Sequence, residues 1–136
     1  MPPDARRLRH LRAEVRARAE SLGAEPNACE AATLVVDELV SNAIEHGAVY
    51  RRQGLALRVD VGNEAGQLTI DFFDPEMPAP MVLDLAAALR DASGGMPTLD
   101  SERGRGLFLI AIYMDEVRVD VAPGGGLHLR GRLAQS

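Results

Sequence analysis

"DELVSNAIEHG", residues 37–47, decides how the chain is read. The stretch is apolar at helical spacing, yet Glu38, Asn42 and His46 recur inside it every four residues. At about 100° per residue, these three side chains fall within about 80° of one another on a helix. Val36, Leu39, Val40 and Ala43 take the adjoining face and suit packing on a sheet, while Asp37 and Ser41 point elsewhere. The row therefore runs along the edge of a core, where a cleft begins. By spacing alone it is first a polar strip on an amphipathic helix. A second reading gives it chemistry. Asn42 offers a neutral amide oxygen, suited to one position on a largely hydrated Mg²⁺. Glu38 is placed to accept a proton from a hydroxyl or water. His46 either orients a neighbour or ends the helix, where a cation is favourable.

Working outward, Asn27 and Glu30 read as an N-cap and its reciprocal partner, and Gly47 as the helix stop. Residues 4–22 predict an earlier amphipathic helix with Leu8, Leu11, Val15 and Leu22 as its stripe, closed by Gly23 and Pro26. After residue 47 the period changes from about 3.6 to 2. "LALRVDVG" (55–62) and "QLTIDFFD" (67–74) alternate and predict a hairpin. "PEMPAP" (75–80) is a break, 81–90 a short helix, and 91–104 a Gly/Ser/Pro-rich loop. Residues 104–116 open on glycines and become a buried helix. "VRVDVA" (117–122) and "GLHLRGRL" (126–133) form a last hairpin. The order ααββ(α)αββ predicts one α+β domain over 1–136, a two-layer sandwich with helices on one face of a mixed, mostly antiparallel sheet.

Composition narrows the chemistry. The chain has 136 residues and a formal net charge of −5, which argues against general nucleic-acid binding. Cys29 is the only cysteine, so no intramolecular disulfide forms. No apolar run is long enough to span a membrane and no signal peptide is visible, so a cytoplasmic location is expected. Every basic residue other than histidine is arginine. The absence of lysine excludes a P-loop and Schiff-base chemistry. Six of the arginines, at 6, 7, 9, 12, 16 and 18, crowd the first helix, as a solvated face or a surface for an acidic partner.

With these residues in place, the stretch resembles the N-box of the Bergerat-fold (GHKL) ATPases, E-L-x-x-N-A-x-x-H, through Glu38, Leu39, Asn42, Ala43 and His46. "TIDFFD" ends in Asp74, at the place of the family's adenine-reading aspartate. "ERGRGLFLIAIYMDEV" resembles the second glycine box, with Gly104, Gly106 and Leu107 matching. Glycines before a helix let backbone N–H groups approach phosphates, and Arg103 and Arg105 flank them as possible charge for a triphosphate. An ATP lid is then expected over about 75–104. One departure stands out: the family's D-x-G-x-G is here Asp74-Pro75-Glu76-Met77-Pro78, without either glycine.

The short domain and "YMDEVRV" look like the anti-sigma factor serine/threonine kinase branch. That resemblance implies ATP and Mg²⁺ as cofactors. It also implies sequestration of a sigma factor and phosphorylation of a serine on an anti-anti-sigma antagonist, with a homodimer possible. Asn42 would hold the metal, Asp74 the adenine and the glycines the phosphates, while Glu38 would act on the acceptor hydroxyl. The family's strand before the first helix is expected to be missing or supplied otherwise. Two other readings stay open: a partner-switch scaffold with little or no turnover, and the ATPase domain of a sensor kinase.

Overall fold

The computed structural model describes residues 5–94 and 102–133. A 3₁₀ turn (Ala5–Arg7) leads into helix α1 (Leu8–Ser21), followed by α2 (Pro26–Gly47). Strands β1 (Arg58–Glu64) and β2 (Gln67–Asp74) come next, then helices α3 (Ala79–Gly94) and α4 (Glu102–Tyr113), then β3 (Met114–Val121) and β4 (Leu127–Leu133). The described strands form one sheet in the order β1-β2-β4-β3, with every pair antiparallel. The fold is α+β, as expected.

The helices are amphipathic and cover one face. On α1 the buried residues Leu11, Val15 and Ala19 recur every four positions. On α2, Val35, Val36, Leu39, Val40 and Ala43 are buried against Ile70, Phe72, Leu127 and Leu129 of the two central strands. Burying a side chain such as Phe72 stabilises the fold by about 1.5–3 kcal/mol. The sheet's other face is polar. There Phe73 stacks on His128 with centroids 4.3 Å apart. Asp71 bridges His128 at 2.7 Å and Arg130 at 3.0 Å, and Arg130 reaches Glu64 at 2.7 Å.

Several element ends differ from the sequence expectation. Helix α2 begins at Pro26, with Glu25 as N-cap and no side-chain cap. Asn27 and Glu30 are therefore not its cap. Proline's fixed φ suits the first helical position, and its missing N–H would be unpaired there anyway. The first hairpin turns on Ala65 and Gly66 alone, both at positive φ (55° and 85°). That is the primed geometry that matches strand twist, so β1 continues through Gly62 and Asn63. Helix α3 runs on to Gly94, and residues 95–101 of the expected lid lie outside the described residues. Met114, Asp115 and Glu116 leave the helix and form the start of β3, because pairing with β4 outweighs their helical preference.

Candidate functional site

Helix α2 carries Glu38, Asn42 and His46 along one partly exposed line, beside the buried Leu39, Val40 and Ala43. Its packing on α4 brings the first and last expected motifs together. A Cβ on the buried Gly106 would lie 2.5 Å from Glu38 Oε2. The carboxylate thus rests where any larger residue at 106 would stand.

The glycines of this second segment do not precede the helix, as the sequence suggested; both lie within α4, which starts at Glu102. The first four N–H groups of a helix have no intrahelical acceptor. By that rule the N–H groups of 102–104 have no acceptor within α4 and suit an anion, whereas Gly106 lies beyond them and serves by leaving room for Glu38. The side chains of Arg103 and Arg105 lie outside the described residues. Leu107 is buried in the core and seats the helix.

Asp74 ends β2 with none of its surface exposed. Its carboxylate is held by two residues that the sequence reading passed over. The Arg51 guanidinium donates from Nη1 to Oδ1 at 3.0 Å and from Nη2 to Oδ2 at 2.8 Å. The Tyr50 hydroxyl donates to Oδ2 at 2.5 Å, and the Glu76 N–H donates to Oδ1 at 3.2 Å. Burial and the hydrogen bond to Asp74 push the Tyr50 hydroxyl well above its ordinary range, while the hydrogen bond to Asp74 raises Arg51 further. Arg51 Nη2 also donates to the Ala43 carbonyl at 3.2 Å. Gly47 lies beneath this guanidinium, which occupies the space a Cβ would need. Gly47 closes α2 without a left-handed φ, and Ala48 after it is still helical, so the expected stop is instead a clearance for Arg51.

The degenerate first glycine segment has its own architecture. Glu76 accepts backbone N–H groups from Arg52 (2.9 Å), Gln53 (2.7 Å) and Leu55 (3.0 Å). The Gln53 N–H above all, with those of Arg52 and Leu55 and the Arg51 charge, holds its carboxyl below the ordinary value. Behind this segment, a Cβ on Gly126 would meet the Asp74 carbonyl at 2.6 Å, so the β3–β4 turn presses on the end of β2. No local signal links Tyr50 and Arg51 to Asp74. The one clue was Glu76, standing between two prolines where glycines were expected.

Among the described residues no group of three or more His, Cys, Asp or Glu could hold a metal ion. Asn42 and Glu38, one turn apart, offer few ligands. That donor set fits a cation that brings phosphate and water ligands with it. The basic residues of α1 are used largely within the fold. Arg12 pairs with Asp37 at 3.4 Å, Arg16 with Glu30 at 3.0 Å, and Arg18 Nε donates to the Val61 carbonyl of the edge strand at 3.1 Å. Among the described residues no helix is long and apolar enough to cross a membrane.

The profile of the histidine kinase-like ATPase domain matches residues 1–130. No curated protein sequence matches the chain. Among solved structures, a chain of the SiaB–SiaC complex from Pseudomonas aeruginosa is similar in fold, with a TM-score of 0.73 at 15% identity, covering 97% of this chain and 86% of that one.

Proposed function

The chain belongs to the histidine kinase-like ATPase family, and from that premise we propose that it is an ATP-dependent protein kinase of the partner-switching kind. In this reading it sequesters a sigma factor and phosphorylates a serine on an anti-anti-sigma antagonist. The observation that carries it is the seat of Glu38 against Gly106, which joins a candidate base to the first turns of α4. Bound MgATP would supply the transferable phosphoryl group. Asn42 would give the metal one oxygen ligand. The α4 N–H groups suit phosphate oxygens. Glu38 would orient the serine hydroxyl and take its proton. Catalysis would then rest on positioning and charge neutralisation. The fold likeness to a chain from a two-protein complex supports a protein partner.

A second reading, a scaffold with little turnover, is favoured by the occupied Asp74 carboxylate and the missing glycines of the first segment. One experiment separates the two. The chain is incubated with labelled ATP, Mg²⁺ and its cognate antagonist, and nucleotide binding is followed in parallel by calorimetry. The kinase reading expects a phosphoserine on the antagonist. Glu38→Gln should lower the labelling rate by about 10²–10⁴-fold and leave binding intact, while Asn42→Ala should weaken the Mg²⁺-dependent part of binding. Binding without labelling would leave the scaffold reading, and no binding at millimolar ATP would end the kinase reading. Asp74→Asn is a poor control, because it breaks a buried ion pair.

A further inference from the structure

We propose that Asp74 is an internal counter-ion and does not read the base, so that the cleft takes nucleoside triphosphates without discriminating the purine 6-amino group. The inference rests on the nucleotide-binding reading above and narrows its substrate class.

The argument is one of hydrogen-bonding capacity. An ionised carboxylate has about four lone-pair positions. Arg51 Nη1 and the Glu76 N–H take two on Oδ1, at 3.0 and 3.2 Å. Arg51 Nη2 and the Tyr50 hydroxyl take two on Oδ2, at 2.8 and 2.5 Å. None is left for an amino group. Nor is the guanidinium loosely placed. Its side chain is 11% exposed, lies 3.5 Å from Glu76 Oε2, and fills the space above Gly47. For an exocyclic amine to reach Asp74, Arg51 or Tyr50 must leave. Separating a buried ion pair is costlier than the one hydrogen bond it would make way for.

The neighbouring segment supports the same reading. Pro75 and Pro78 bring no N–H donors. The Glu76 N–H turns back to Asp74, and the Glu76 carboxylate takes the N–H groups of 52, 53 and 55. This stretch is folded onto the protein's own loop. Among the described residues, the groups left to a nucleotide include the Asn42 amide and the first N–H groups of α4. Both address metal and phosphate, which every nucleoside triphosphate carries.

The test compares ATP with purine riboside triphosphate, which differs from ATP only in lacking the 6-amino group, and with GTP. Calorimetry in Mg²⁺ should give affinities for the three within about threefold, since a hydrogen bond to a carboxylate separates ligands by about tenfold or more. ATP binding at least tenfold tighter than purine riboside triphosphate would overturn the inference and mean that the amine displaces Arg51. Binding of none of the three would bring down the nucleotide reading itself and this inference with it. A second arm needs no nucleotide. Arg51→Met should lower the melting temperature by more than about 5 °C by stranding Asp74. Tyr50→Phe, which removes one donor, should lower it by less. An unchanged melting temperature in both variants would overturn the counter-ion role.

Discussion

Gly47 and Gly106 are both glycine for lack of room, and the neighbour in each case sets the consequence of adding a methyl. At Gly106 the obstacle is the flexible end of Glu38, whose Oε2 would lie 2.5 Å from the new Cβ. The position is helical, where alanine is favoured over glycine by about 1 kcal/mol. Gly106→Ala should therefore leave the melting temperature unchanged or slightly raised, while the Glu38 carboxylate is pushed aside. In the kinase reading, phosphoryl transfer should fall about tenfold or more, with nucleotide affinity little altered. Wild-type turnover in this variant would show that the position of Glu38 does not matter. At Gly47 the obstacle is the Arg51 guanidinium, which is clamped to Asp74, the Ala43 carbonyl and Glu76. The methyl there opposes a buried ion pair, so Gly47→Ala should lose about 1–3 kcal/mol in chemical denaturation despite the better helix former.

The loop between α2 and β1 is held by a carboxylate from the segment after β2, and that makes its order pH-dependent. Glu76 has its pKa lowered from the ordinary 4.5, chiefly by the Gln53 N–H. A lowered carboxyl pKa contributes stability that is complete above the unfolded value and is lost as pH falls through the folded one. The stability difference between wild type and Glu76→Gln should therefore be constant above about pH 5 and shrink as pH drops below 4.5. A difference that persists undiminished into strong acid would mean the carboxylate's charge is not what holds the loop. This same loop marks the boundary of what the sequence made legible. Apolar spacing at 8, 11, 15 and 22 and alternation at 67–74 revealed the helices, the first hairpin and the row on α2, because periodicity is local. The start of α2 was misplaced because Pro26 at its first position outweighs a polar cap at Asn27. The clamp on Asp74 joins residues more than twenty positions apart, and nothing in "VYRRQG" announces it. Asp74 itself stands out in the sequence through the family resemblance, which keeps an aspartate at this strand end. Its saturation by Arg51 and Tyr50 is a tertiary fact.

At the scale of the molecule, α2 is the spine: it packs on α1, on α4 and on the central strands, and it carries the candidate base and metal ligand on its exposed edge. A candidate site built on a helix packed against so many elements should be lost only when the whole domain opens. Cys29 can report this. It lies near the start of α2 at 3% exposure, with its Sγ 3.6 Å from the Ala24 carbonyl. Burial first, then the Glu20 charge, raises its thiol pKa, so the folded state should be inert to thiol reagents. Labelling then requires opening. If the opening is global, a ligand that binds only the folded state slows it in proportion to 1 + [L]/Kd. MgATP at a hundred times its Kd should slow Cys29 labelling about a hundredfold, and Asn42→Ala should blunt that protection at the same ATP concentration. The readout needs no antagonist and no turnover, so it registers nucleotide binding even in a chain that transfers nothing. Labelling that is slow but indifferent to ATP, in a protein shown by calorimetry to bind it, would place the exposing event in the first turns of α2 alone. The site at Glu38 and Asn42 would then be uncoupled from the end of the helix that carries Cys29.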